Sequence, residues 1–217
     1  MKNHFTDFIL SLFFTNKCPY CRKVISYGMT ECEDCFRELC GIPKKAVTSS
    51  GISCTAPFAY DSKVRESIID FKFGRNSFNA KSYAKAICRV IEYCDMLDDF
   101  DVITFVPLSK KRRNERGFDQ SELTARYVGS ILGKKVKALL IKARQNKNQY
   151  ELNLSERIEN VKGVYKPVNR DLIENENILI IDDIFTTGNT LAECCRILRE
   201  NGAKSIICMT IAISGAV

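Results

Sequence analysis

Apolar side chains recur at Phe5, Phe8, Ile9, Leu12 and Phe13, the i, i+3, i+4, i+7, i+8 stripe of a short amphipathic helix that packs on the neighbouring domain. From Lys17 to about Gly51 no long apolar period appears, only cysteine pairs with short polar spacers, the pattern of a small module that needs a staple. The remainder alternates strand-like and helix-like stretches. Ser53 to Tyr60 reads as extended, Val64 to Phe73 and Ala80 to Leu97 as helices, and Asp101 to Val106 as a buried strand ending at Pro107. After a basic loop, Asp119 to Leu132 is helical, Val136 to Ile141 is a strand, and Gln145 to Asn160 is polar and offers little to a core. Ile178 to Ile181 is a β-branched run, followed by a turn, a helix from Thr190 to Asn201 capped by Gly202, and a last strand from Ser205 to Ile213. Strand, helix and strand in series predict an α/β fold, a parallel sheet with right-handed crossovers and helices on both faces. Ligands of such sheets sit at the carboxyl ends of strands, where the stretches Pro107 to Phe118 and Asp182 to Asn189 fall. The chain divides into residues 1–51, the helix and the cysteine-rich module, and residues 52–217, the sheet domain.

Composition adds little to this pattern: 217 residues, 45% hydrophobic and 27% charged, are globular proportions that exclude a disordered or fibrous chain. The apolar stretch from Phe8 to Phe14 is far short of the ~20 residues that span a bilayer, and no small-residue cleavage site comes after it, so neither a membrane span nor a signal peptide is expected. Charge changes the picture more. The net charge is +7, yet residues 105–147 hold twelve basic side chains against three acidic ones, a local excess of nine that leaves −2 for the rest. A field concentrated in this way points to a phosphate-bearing partner near the middle of the chain.

Five of the eleven cysteines lie in the first forty residues: Cys18, Cys21, Cys32, Cys35 and Cys40. The other six, Cys54, Cys88, Cys94, Cys194, Cys195 and Cys208, stand in apolar surroundings as small buried hydrophobes. That distribution reads as reduced and intracellular, hence cytoplasmic, with a metal site near the N-terminus. Cys18-Pro-Tyr-Cys21 and Cys32-Glu-Asp-Cys35 are separated by ten residues. Two such knuckles can place four thiolates at about 2.3 Å around one structural zinc ion. Cys40 either replaces Cys32 in an alternative shell or takes a non-ligand core position. His4, at the start of the chain, is not needed as a ligand.

The run Ile178 to Ile181 ends at two adjacent carboxylates, Asp182 and Asp183, and then at Thr186-Thr187-Gly188-Asn189-Thr190, which opens a helix. Such a turn aims successive backbone N–H groups and threonine hydroxyls at one anion, helped by the helix N-terminus. Carboxylates beside a phosphate nest make sense when the ligand also brings hydroxyls or a divalent cation. A ribose 5-phosphate does so, its phosphate in the nest and its hydroxyls donating to the carboxylates. No G-x-x-x-x-G-K-[ST] or G-x-G-x-x-G pattern competes. In the basic stretch Lys110 to Arg116, five cations in seven residues would repel one another unless solvated or facing an anion, such as pyrophosphate or a nucleic-acid backbone.

The stretch from Ile178 to Thr190 resembles, at every position, the phosphoribosyl-pyrophosphate (PRPP) motif of type I phosphoribosyltransferases. Val106-Pro107, the basic stretch and Arg116-Gly117-Phe118-Asp119-Gln120 resemble the ComF family, with Asp119 in place of the usual Asn, an acid that argues against phosphate contact there. Tyr60-x3-Val64-Arg65-x2-Ile68-x2-Phe71-Lys72-Phe73 and Arg144-x4-Gln149-x7-Arg157-x2-Asn160-Val161-x-Gly163 extend that likeness over the whole chain. The resemblance implies a type I phosphoribosyltransferase-like sheet domain fused to the four-cysteine zinc module, and a role in DNA uptake during natural competence. Asp182 and Asp183, as the catalytic pair, would hold ribose hydroxyls and help orient magnesium. Thr186, Thr187, Gly188, Asn189 and Thr190 would hold the 5-phosphate. Lys111, Arg112, Arg113 and Arg116 would meet pyrophosphate or a DNA backbone. The partners implied are PRPP, incoming single-stranded DNA and proteins of the competence machinery. The alternative is an active transferase passing phosphoribosyl from PRPP to a nucleobase or amine that the sequence does not identify.

Overall fold

The computed structural model describes residues 16–26, 28–48, 50–74, 76–144 and 163–215. The expected helix carrying Phe5 to Phe13, with His4, and the whole of the polar stretch 145–160 lie outside these residues. The elements in order are α1 (Glu33–Leu39), β1 (Lys44–Val47), β2 (Ser53–Ala56), β3 (Phe58–Ala59), α2 (Ser62–Phe73), α3 (Asn79–Tyr93) and β4 (Val102–Phe105). Then come α4 (Lys110–Arg116), α5 (Gln120–Leu132), β5 (Lys135–Val136), β6 (Leu140–Lys142), β7 (Tyr165–Pro167), a 3-10 turn (Arg170–Leu172), β8 (Asn177–Phe185), α6 (Asn189–Glu200) and β9 (Ser205–Ile213).

Uninterrupted apolar runs are what strands covered on both faces require, and β4 and the first half of β8 are such runs, with every residue from Ile178 to Ile181 fully buried. The sheet runs β1-β2-β9-β8-β4-β5, with β3 also pairing β9. Each pairing is parallel except that of β1 with β2. Because side chains alternate along a strand, β8 feeds two cores. Leu179 and Ile181 join Ile68, Tyr83 and Val128 of α2, α3 and α5 on one face. Ile178 and Ile180 join Leu191, Cys195 and Leu198 of α6, with Leu140 and Tyr165 of the β6-β7 hairpin, on the other.

The cysteine-rich module is part of the first core. Cys18, Tyr20, Ile25 and Cys35 cluster with Phe58 and Tyr83, and the Tyr20 ring meets Phe58 and Tyr83 edge-on at 5.7 and 6.3 Å. A buried polar relay fastens the same contact: Tyr20 Oη lies 3.0 Å from Ser82 Oγ, Ser82 donates to Glu31 at 2.6 Å, and Arg89 pairs with Glu31 at 3.0 Å.

Several elements differ from the sequence-based expectation. The basic stretch is a helix, because Ser109 caps it by accepting from Arg112 N–H and Gly117 ends it at φ 83°. The segment Val136 to Ile141 is not one strand. Lys137 N–H still donates to the Ile103 carbonyl, but the chain then leaves the main sheet and β6 pairs β7 in a second one. Finally, α3 ends at Tyr93 rather than Leu97. No helix among the described residues is long and apolar enough to cross a membrane.

Candidate functional site

β4 and β8 are parallel neighbours, Phe105 lying opposite Ile181, so their carboxyl ends open side by side. β4 leads into α4 through Pro107, and β8 leads through residues 186–188 into α6. β8 does not stop at Ile181 as the apolar run suggested. It continues to Phe185, with Asp182 paired to Thr210 and Ile184 to Ala212, and both carboxylates are therefore set on a rigid strand.

Each carboxylate is held by a specific partner. Asp182 Oδ1 accepts from Ser121 Oγ at 3.0 Å and from the Asp183 N–H at 2.8 Å. Asp183 Oδ2 pairs with Lys72 Nζ at 2.6 Å, both side chains being 17% exposed. Burial, and then the neighbouring Asp183 charge, push the Asp182 carboxyl up to about 7, while the Asp183 N–H, Lys72 and Ser121 work against the rise.

Beyond Phe185 the chain reverses at Gly188, whose φ of 71° suits glycine. A β-carbon there would lie 2.5 Å from Thr48 Cγ2 and 2.6 Å from Phe185 Cζ. No side chain caps α6, so the N–H groups of its first turn are left for another acceptor. Thr186 and Thr187 are exposed, and Asn189 and Thr190 half-buried.

Of the four cations expected to meet an anion, Arg116 is the most enclosed. Its guanidinium stacks 5.2 Å from the Phe73 ring and donates to Gln120 Oε1 at 2.9 Å. Burial lowers its pKa, Asp183 opposes that change, and Arg112 adds to it. Arg113 is engaged elsewhere, pairing with Glu122 at 2.9 Å, a carboxylate that Arg126 also binds. Lys111 and Arg112 are exposed. A further cation comes from β6: Lys142 sits 5.3 Å over the Tyr165 ring. Burial lowers its pKa, as does Arg112, with Asp182 acting in the opposite sense. The sequence alone does not single out Lys72, Ser121, Lys142 and Tyr165 as site residues. Only Lys72, in the ComF-like stretch, carries a signal. Asp119 is buried and caps α5, accepting from Leu108 N–H at 2.7 Å and Glu122 N–H at 3.1 Å.

At the other end of the chain, the thiols of Cys18, Cys21, Cys32 and Cys35 all lie within 4.8 Å of one another, and Cys21 Sγ is 3.5 Å from Cys32 Sγ. The first knuckle closes through Cys18 N–H to the Lys23 carbonyl at 2.8 Å and through Arg22 at φ 63°. Four thiols this close fit a tetrahedral metal such as zinc, whose sulfur ligands stand at about 2.3 Å. Cys40 is exposed and outside this cluster. It is thus a non-ligand, but not the core residue expected, because it lies just past α1 at the surface.

Residues 121–216 match the phosphoribosyl transferase domain model. Competence protein ComFC of Bacillus subtilis (strain 168) is 28% identical over 200 residues, covering 89% of this chain and 76% of that protein. Competence protein ComFC of Streptococcus pneumoniae (strain ATCC BAA-255 / R6) is 28% identical over 192 residues, covering 87% and 77%. DNA utilization protein YhgH of Escherichia coli (strain K12) is 30% identical over 119 residues, about half of each chain. With the acidic pair on its strand, the Thr-Thr-Gly turn and the four-cysteine cluster, these likenesses give the chain a phosphoribosyltransferase-like fold beside a four-cysteine module and make it similar to the ComFC proteins of the ComF family.

Proposed function

We propose that the chain binds PRPP with magnesium at the ends of β4 and β8, and that it acts in the cytoplasm in DNA uptake, handling incoming single-stranded DNA. One observation carries the reading: two adjacent carboxylates on β8 stand beside the uncapped first turn of α6, the pairing of hydroxyl acceptors and phosphate donors that a ribose 5-phosphate requires. Arg112, Arg116 and Lys142, near enough to bias one another's protonation, favour a ligand with a second anionic group, which PRPP has and ribose 5-phosphate lacks.

In this reading Asp182 and Asp183 accept from the ribose hydroxyls and hold the ring. The backbone of residues 187–190 and the hydroxyls of Thr186, Thr187 and Thr190 bind the 5-phosphate, while Arg116 and Lys142 meet the pyrophosphate. Magnesium, when bound, would neutralise pyrophosphate charge, and Asp182 and Asp183 would help to orient it. Zinc in the four-cysteine cluster serves structure. The names of the ComFC relatives support the competence role. The exposed cations Lys110 and Lys111 support contact with a nucleic-acid backbone.

Calorimetric titration with PRPP and magnesium tests the site. Wild type should bind saturably at or below millimolar ligand. Asp182→Ala/Asp183→Ala should weaken binding by removing ribose acceptors, and Gly188→Val should abolish it, since its side chain would collide with Thr48 and Phe185. No saturable binding by wild type, or equal binding by both variants, would refute the assignment.

A further inference from the structure

Lys72 belongs to neither the Thr-Thr-Gly turn nor the basic helix. It stands in the last turn of α2, and that turn is pinned on several sides. Phe71 is fully buried, its carbonyl accepts from Gln120 Nε2 at 3.5 Å, and Asp70 pairs with Arg22 of the first cysteine knuckle at 2.9 Å. The Lys72 ammonium is thus delivered by a fixed backbone to Asp183 Oδ2, at 2.6 Å and largely out of solvent.

The geometry divides the four carboxylate oxygens. Among the described residues, the protein's own donors use Oδ1 of Asp182, through Ser121 and the Asp183 N–H, and Oδ2 of Asp183, through Lys72. One oxygen of each aspartate remains, which matches the two hydroxyls of a ribose diol. A magnesium ion bridging the pair would need oxygen ligands at about 2.0–2.1 Å in octahedral order. An ammonium 2.6 Å from Asp183 Oδ2 already occupies one side of that position.

We propose that Lys72 is the resident counter-cation of the acidic pair, a positioning residue that lets the site bind the diol of a 5-phosphorylated ribose with no divalent ion bridging the aspartates. Magnesium then arrives only on a ligand's own pyrophosphate. The inference rests on the PRPP reading and narrows it: the ribose half of the site is independent of magnesium, and the pyrophosphate half is not.

Ribose 5-phosphate, which has no pyrophosphate, separates the two halves. Titrated into the full-length protein, it should bind wild type equally well, within about twofold, in EDTA and in magnesium. Lys72→Met and Lys72→Gln, two neutral variants of different polarity, should lose about tenfold in EDTA, as expected for one charge-assisted contact. They should regain part of that loss on adding magnesium, while Lys72→Arg should stay close to wild type without it. A residue that merely supported the fold would weaken binding alike with and without the metal. Neutral variants that bind like wild type in EDTA, or a wild type that needs magnesium for ribose 5-phosphate, would overturn the role of Lys72 and leave PRPP binding standing. A wild type that binds neither ribose 5-phosphate nor PRPP would overturn the function itself.

Discussion

Asp182→Asn should make the protein more stable, and increasingly so as pH rises. The carboxyl sits at about 7 in the folded chain against 3.8 for an ordinary aspartate. Between these values the folded chain retains a proton that the unfolded chain has released. A protein that releases protons on unfolding loses stability as pH increases, so the cost grows from pH 4 to pH 7 and is constant above. A span of about three pH units corresponds to at most about 4 kcal/mol. Asparagine removes that cost while keeping an oxygen to accept from Ser121 and from the Asp183 N–H. For a chain of this size the gain at pH 8 is then up to about 10 °C in Tm, with much less at pH 4. Thermal melts of wild type and variant at pH 4, 6 and 8 read the difference directly. A variant no more stable than wild type at pH 8, or a gain that does not change with pH, would show that Asp182 ionises in the folded chain without penalty. A gain obtained together with weaker PRPP binding would identify the carboxylate as one retained at a cost in stability for the sake of function.

The four-cysteine cluster should carry one equivalent of metal after purification without added zinc, and Cys18→Ser/Cys21→Ser should lose it. A metal-free wild type with unchanged stability would refute the zinc assignment. Single-stranded DNA should bind in a salt-sensitive way, and Lys110→Ser/Lys111→Ser should flatten the plot of log affinity against log salt by about 1.4, or ~0.7 per phosphate contact removed. An unchanged slope would move the DNA contact elsewhere on the chain.

The parallel sheet is legible in the sequence because its strands are continuous apolar runs. Ser205 to Ile213 coincides with β9, and the helix expected from Asp119 to Leu132 coincides with α5 and its cap. Charge misleads where it outweighs other signals. The repulsion of Lys110, Lys111, Arg112 and Arg113 suggests a loop, whereas Ser109 and Gly117, a helix cap and a left-handed stop, enclose one helix. The acidic pair and Thr-Thr-Gly turn are visible because they are contiguous. Lys72 and Ser121 are not, since they reach the pair from α2 and α5, and no local pattern encodes a contact formed by tertiary packing. Cys40 is expected inside because cysteine is usually buried; the end of α1 leaves it exposed.

The phosphoribosyl transferase match begins at residue 121, yet Lys72, Arg112 and Arg116 lie before it, so the matched segment does not contain the whole candidate site. The preceding residues are in turn fastened to the cysteine module by contacts of unequal weight, among them the Glu31 relay to Ser82 and Arg89. The Arg22–Asp70 pair is half exposed on the arginine side, and an ion pair of that kind contributes about 0–1 kcal/mol. Tyr20, between ligand candidates Cys18 and Cys21, is 5% exposed and packs edge-on against Phe58 and Tyr83. Burying such a ring contributes roughly 2–3 kcal/mol, and each aromatic pair about 0.5–1.5 kcal/mol more. The module is therefore held mainly through Tyr20 on α3 and only weakly through Arg22 on α2. A metal ion that fixes the Cys18–Cys21 turn fixes this ring as well, so its loss is felt first in the core beneath α3 and reaches Lys72 mainly through the packing of α2 on that core, and weakly through the Arg22–Asp70 pair.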